Sequence, residues 1–200
     1  MKVIDPLVRN QKTLDLGVVD SRRQKYASGD RYETKTATSL HNAIHTLNSQ
    51  VLGIDIDEAG VSLLSESGFN VQVNDVMTMD LGYRYDTIIA GDIIEHLPNP
   101  GAFLSNMVRH LEPNGTLVIT TPNPFYVKQA WKIWRYNRPQ VHEEHTCWFC
   151  PTTLTNLCHM SGLRVTSIYW IQKRGQWIRT GPQHLRDHFS ASFMLLASPA

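Results

Sequence analysis

The sequence predicts an α/β protein with a parallel sheet, and three observations carry that expectation. Short apolar runs of strand length alternate with stretches whose apolar residues recur at helical spacing, the pattern of repeated βαβ units. Acids follow four consecutive apolar runs, where an open α/β sheet places its ligand-binding groups. The 200 residues, 42% hydrophobic and 18% charged, are enough for one domain with a substantial core.

The first run covers 13–19. The polar stretch from about Asp20 to Thr36 is rich in Arg, Lys, Ser and Gly and reads as a long loop. Leu40, Ala43, Ile44 and Leu47 then mark a helix. Residues 51–56 form a buried strand, and Asp57 caps the next helix with Glu58 in its first turn. That helix carries Val61, Leu63 and Leu64 and stops at Gly68. Val71–Val73 is a short strand ending at Asn74-Asp75, and 85–90 is another that runs on to Gly91-Asp92. After Leu97-Pro98-Asn99-Pro100, a helix presents Phe103, Leu104, Met107, Val108 and Leu111 on one face. Pro113-Asn114-Gly115 reads as a turn, and 116–121 as a strand closed by Pro122-Asn123-Pro124. A helical stretch over 125–137 precedes a loop bearing His and Cys. Thr152 or Thr153 caps a helix through Met160, ended by Gly162, and two strands follow at 163–171 and 192–197. His41 and His45, one helical turn apart, read as a solvated face.

The formal net charge is +1, so no global field draws the protein to nucleic acid, and none is expected as a partner. No run of 18 apolar residues is present, and the first residues lack the apolar core of a signal peptide. Three clustered cysteines, Cys147, Cys150 and Cys158, make no disulfide framework and read as reduced thiols. The expected location is cytoplasmic.

The residues at the ends of the runs are Asp15-Leu16-Gly17, Asp55, Asp75, Asp92 with Glu95-His96, and Thr121-Pro122-Asn123. An acid after the second strand can accept hydrogen bonds from both hydroxyls of a ribose. An acid after the third can reach an adenine amino group. That order suits a nucleoside cofactor without a phosphate tail, for the chain has neither GxGxxG nor GxxxxGK[ST].

On these residues the run from Thr13 to about Ile171, roughly three quarters of the chain, resembles the class I S-adenosylmethionine (SAM)-dependent methyltransferases. Leu14-Asp15-Leu16-Gly17 is similar to the family's first motif, 51–55 to its second and Asn74-Asp75 to its third. Residues 85–97 and 111–123 resemble its fourth strand and the passage into its fifth. The resemblance implies a Rossmann-like three-layer fold whose seven-stranded sheet has a reversed last strand, over a single domain 1–200. Within it, 18–37 would be an extended cofactor loop, and 124–150 an acceptor-side helix and loop. It also implies cofactor contacts from Asp15, Gly17, Asp55, Ile56, Asp75, Val76, Gly91 and Asp92, with Asp55 on the ribose and Asp75 near the adenine.

One departure stands out. Where the family carries further glycines two and four residues beyond Gly17, this chain has Val19 and Ser21. A β-branched residue at positive φ is strongly disfavoured. Either the loop takes another path and holds the SAM carboxylate with Arg22, Arg23 or Lys25, or SAM binding is weakened or lost.

Asp92-Ile93-Ile94-Glu95-His96 resembles the acid-x-x-Glu-His segment of the ubiquinone-biosynthesis O-methyltransferases. Glu144-His145-Thr146 to Phe149, with Pro151 and Leu154, resembles the segment after their fifth strand. The resemblance implies that Asp92, Glu95 and His96 could hold Mg²⁺; the alternatives are a base or substrate-orienting role, or packing alone. His96, Glu95 and His145 are the catalytic candidates. His142-x-x-His145-x-Cys147-x-x-Cys150 has the ligand types of a zinc site, but the spacing is tight.

In the helix at 127–138, Val127, Trp131 and Trp134 form a stripe beside Lys128, Lys132 and Arg135. Three readings stand: a peripheral membrane contact, a lid over the acceptor pocket, or a core-packed helix with snorkelling basic stems. The functional expectation is methyl transfer from SAM to a hydroxyl of a small-molecule acceptor (a phenol, quinol or sugar). The alternative is a catalytically silent methyltransferase-like module that binds a partner or metabolite. Oligomeric state leaves no mark on the sequence.

Overall fold

A computed structural model describes residues 3–19, 21–26, 29–34, 39–139, 141–172 and 182–200. Seven strands form one mixed sheet: β1 (Thr13–Leu16), β4 (Leu52–Asp55), β5 (Val71–Val73), β6 (Tyr85–Gly91), β7 (Leu111–Pro122), β8 (Leu163–Ile171) and β9 (Ser192–Pro199), in the order β5-β4-β1-β6-β7-β9-β8. Pairing is parallel from β5 through β7, and β9 runs antiparallel to both β7 and β8.

Alternation along the strands divides the core into two faces. Ile88, Leu117, Ile119 and Leu195 point to one face. There they meet Phe103, Leu104 and Met107 of α4 (Pro100–His110), and Leu154 and Cys158 of α6 (Pro151–Met160). Ile89, Val118, Met194 and Leu196 point to the other. Their partners are Ile4 and Val8 at α1 (Asp5–Val8) and Ile44 of α2 (Leu40–Leu47). Sheet and flanking helices make the three-layer α/β fold that the resemblance implied.

Helix starts follow side-chain chemistry. Asp57 accepts from the N–H of Gly60 and opens α3 (Glu58–Glu66). Asn99 accepts from the N–H of Ala102 at 3.1 Å, with Pro100 in the first turn of α4. The cap of α6 is Cys150 rather than Thr152 or Thr153: its N–H donates to the Thr153 hydroxyl at 3.1 Å.

Other expectations are corrected. Within the stretch read as a loop, β2 (Ser21–Tyr26) and β3 (Gly29–Thr34) pair antiparallel as a separate ribbon. Leu111 starts β7 instead of ending the helix, and the Pro113-Asn114-Gly115 turn lies inside that strand. Between the pairs Tyr85–Leu111 and Thr87–Thr116, β6 advances two residues while β7 advances five, so the turn residues bulge out of register. Helix α5 (Val127–Tyr136) buries Gln129 alone and exposes Trp131 and Trp134, which removes the core-packed reading. A short α7 (Gln183–His188) precedes β9. Among the described residues, no helix is long and apolar enough to cross a membrane.

Candidate active site at the carboxyl edge of the sheet

Strand order reverses at β1, because the chain goes on to β4 and β5 on one side and to β6 and β7 on the other. Such a switch point opens a crevice at the carboxyl ends of the strands. The residues leaving the strands there are Asp75, Asp55, Gly17, Gly91 with Asp92, and Pro122 with Asn123, in spatial order.

Gly17 has φ of 71°, and a Cβ on it would lie 3.2 Å from Ile93 Cδ1. The turn and the close approach of the loop after β6 both call for glycine there. Asp55 is set by two backbone donors: Val19 N–H on Oδ2 at 2.9 Å and Asp57 N–H on Oδ1 at 3.0 Å. Each oxygen keeps acceptor capacity for a hydroxyl. Val19 is not among the described non-glycine residues with positive φ, which are Asn10, Asp92 and Asn137. Val19 therefore does not use the left-handed backbone that a glycine there would allow. The side chains of Arg22, Arg23 and Lys25 lie outside the described residues.

Asp75 Oδ1 accepts from Met77 N–H at 2.8 Å. Beside Asp55, Ile56 leaves 71% of its surface in water, an apolar platform next to the acid. Val76 is core, and its carbonyl accepts from Asn106 Nδ2 at 3.0 Å. A Cβ on Gly91 would lie 2.8 Å from Leu40 Cδ2. Asp15 is different: it is buried, and its carboxylate bonds the His41 ring at 2.9 Å. Burial pushes its carboxyl above the usual range, and His41 pulls it partly back. His41 is thus a buried partner and not part of a solvated face. The signal for it was Asp15 itself, since an acid inside an apolar run needs a partner.

A 3₁₀ turn at Ile94–His96 carries the second group. Glu95 is 1% exposed. Its Oε2 accepts from the Thr121 hydroxyl at 3.0 Å, and its carbonyl accepts from Thr146 N–H at 2.8 Å. That backbone bond clamps the loop after α5 onto the turn and brings in His145. The His145 and His96 rings meet edge to face at 4.6 Å. Burial, helped by the charge of Asp92, pushes the Glu95 carboxyl up to about 7. Burial, with His96 and His142 nearby, pulls His145 below its usual value. One ligand-type atom from each of Glu95, His96 and His145 lies within 4.8 Å of the others.

Asp92 is not one of those three, although its charge acts on both Glu95 and His145. It holds φ of 48°, and its Oδ1 accepts from the Thr120 hydroxyl at 2.9 Å. The set Asp92, Glu95 and His96 is accordingly corrected: the ligand group assembled among the described residues takes His145 in place of Asp92. One carboxylate and two imidazoles do not fit Mg²⁺, which prefers oxygen ligands in an octahedron. The four-ligand zinc set is not assembled either, because Cys147 Sγ faces the carbonyl of Ile94 at 3.8 Å and Cys150 caps α6. A cleft of about 270 Å³ adjoins the cluster, lined by Asp92, Asn123, Tyr126, His142, His145 and Trp148 among others.

A family model described as a methyltransferase domain matches residues 24–168. The chain belongs to that family. Its curated relatives include the ubiquinone biosynthesis O-methyltransferase of Bradyrhizobium diazoefficiens, 28% identical over 90 residues, covering 42% of this chain and 36% of the relative. The protein of the same name in Coxiella burnetii is 24% identical over 145 residues, covering 66% and 59%. The chain thus spans about a third to three fifths of these relatives' length. Among solved methyltransferase folds, CcbJ from Streptomyces caelestis superposes with a TM-score of 0.68 at 15% identity, covering 98% of this chain and 86% of that one. Magnesium protoporphyrin IX methyltransferase from Synechocystis, solved with bound SAH (S-adenosylhomocysteine), gives 0.66 at 14% identity, covering 99% and 78%. At this identity the likenesses show the fold alone.

Proposed function

We propose that this protein transfers a methyl group from SAM to a hydroxyl of a small-molecule acceptor. The observation that carries the reading is the Asp55 carboxylate, fixed by two backbone N–H groups at the switch point with acceptor capacity left over. Asp55 would take the ribose hydroxyls, Ile56 would lie against the adenine, and Asp75 would accept from its amino group. Gly17 lets the backbone approach the methionine part. The cofactor supplies a sulfonium methyl that an acceptor oxygen displaces, forming the O–C bond as the C–S bond breaks. The chain's main contribution is alignment of the two. His145, which lines the cleft beside the crevice, would take the hydroxyl proton. The names of the curated relatives support oxygen as the acceptor atom.

Calorimetric titration with SAH tests the cofactor site. Wild type should bind, and Asp55→Ala should weaken binding at least about tenfold, since hydrogen bonds to a charged group contribute about 1.5–3 kcal/mol. Product formation should then appear with some member of a phenol, catechol, quinol and sugar panel. The second reading, a silent binding module, is favoured by Val19 and Ser21 standing where glycines are usual. Failure of the wild type to bind SAH would sink the methyl-transfer reading and favour this one.

A further inference from the structure

We infer that Asn106 is a positioning residue for base recognition: it fixes the turn that carries Asp75, and so sets how sharply the site tells adenine from a 6-oxo purine. The inference rests on the methyl-transfer reading, in which Asp75 accepts from the adenine amino group.

The connection between β5 and β6, residues 74–84, holds no helix or strand, so its backbone groups need partners from elsewhere. Asp75 meets part of that need. Its carbonyl accepts from Thr78 N–H at 3.1 Å and from Met79 N–H at 2.8 Å, and its Oδ1 accepts from Met77 N–H at 2.8 Å. Backbone and side chain together thus tie Asp75 into a turn over 75–79. Two carbonyls of that turn go to one side chain of α4: Asn106 Nδ2 donates to Val76 O at 3.0 Å and to Met79 O at 3.2 Å.

Asn106 is 2% exposed, and its orientation is set from behind. Its Oδ1 accepts from Arg109 Nη2 at 2.7 Å, which commits the oxygen and leaves the amino group facing the turn. His110 adds a second tie to the same connection. Leu81 N–H donates to His110 Nε2 at 3.2 Å, so Nδ1 carries the hydrogen and donates to the Asn106 carbonyl at 2.9 Å. Val76 and Met79 also pack in the core, but apolar packing is non-directional. It holds the turn against the sheet, whereas the two amide bonds fix its peptide planes and, with them, the aim of the Asp75 carboxylate. An aimed carboxylate accepts from a 6-amino group and repels a 6-oxo group.

The test compares SAH with its 6-oxo analogue, S-inosylhomocysteine, by calorimetric titration, and reads the ratio of the two Kd values. Wild type should prefer SAH by about 10–100-fold, and Asp75→Ala should bring the ratio to about one. Asn106→Asp and Asn106→Leu should each lower the ratio at least about fivefold. The first keeps a contact for Arg109 but donates nothing to the turn. The second has similar volume and no polar atom, so the two do not share a cause of misfolding, and far-ultraviolet circular dichroism checks both. In the Asp75→Ala background neither should change the ratio further, because both act through that carboxylate. A merely structural Asn106 would weaken both ligands alike and leave the ratio in place. The proposal is overturned by an unchanged ratio in folded Asn106 variants, by a change that persists without the Asp75 carboxylate, or by a wild-type ratio in Asp75→Ala. SAH binding that still depends on Asp55 in those cases leaves the methyl-transfer reading standing, whereas a wild type that binds neither ligand sinks both.

Discussion

At the residue scale, Glu95 sets an electrostatic constraint. Its carboxyl is raised from 4.5 to about 7 by burial first and by Asp92 second. A folded-state value above the unfolded one means that the folded chain holds the proton more tightly. The contribution to stability is complete below pH 4.5 and is lost as pH rises through 7. Relative to a Glu95→Gln variant, wild type should therefore lose about 3 kcal/mol between pH 4.5 and pH 8. Urea midpoints in chelator, taken across that range for both proteins, measure it; parallel curves would contradict the burial argument. Asp55 and Asp75 were legible because acids at strand ends follow a rule of α/β sheets. The meeting of His145 with Glu95 through Thr146 was not, since it depends on where a loop is clamped and not on any local pattern.

At the element scale, α5 is the feature with an unfinished role. Its Trp134 is 80% exposed and Trp131 56%, with Lys128, Lys132 and Arg135 on the same helix. Of the two readings left, an interfacial helix makes a direct prediction. Binding to anionic vesicles should fall roughly tenfold or more in Trp134→Ala, the cost of about 1.5–3 kcal/mol for one large apolar side chain. Co-sedimentation measures this, and a wild type that ignores such vesicles leaves the lid. Elements were readable in proportion to burial. Buried parallel strands such as β6 read as continuous apolar runs. The β2–β3 ribbon did not, because its sequence lacks apolar alternation; its register instead sets Arg22 opposite Glu33 and Lys25 opposite Asp30. The bulge at Pro113-Asn114-Gly115 read as a turn because the local chemistry of the two is the same.

At the scale of the whole molecule, fold class follows from alternation alone, whereas strand order is decided by which faces must be covered. SAH is expected to stabilise the entire domain by mass action, about 2.7 kcal/mol at a hundredfold excess over Kd. For 200 residues that is a rise in Tm of about 5–10 °C, and thermal unfolding with and without SAH reads it. The buried pair of Asp15 and His41 has a consequence for descent. A Cβ on Gly53 would lie 2.8 Å from His41 Cε1, so that glycine makes room for the ring. These three positions are physically coupled. A lineage that loses His41 first leaves an acid stranded under α2, and one that enlarges Gly53 first displaces the ring. Gly53 is held from two further sides, by Val71 Cγ1 at 2.8 Å and Val18 Cγ1 at 3.0 Å, so relaxing the Asp15–His41 pair alone would not admit a larger residue there.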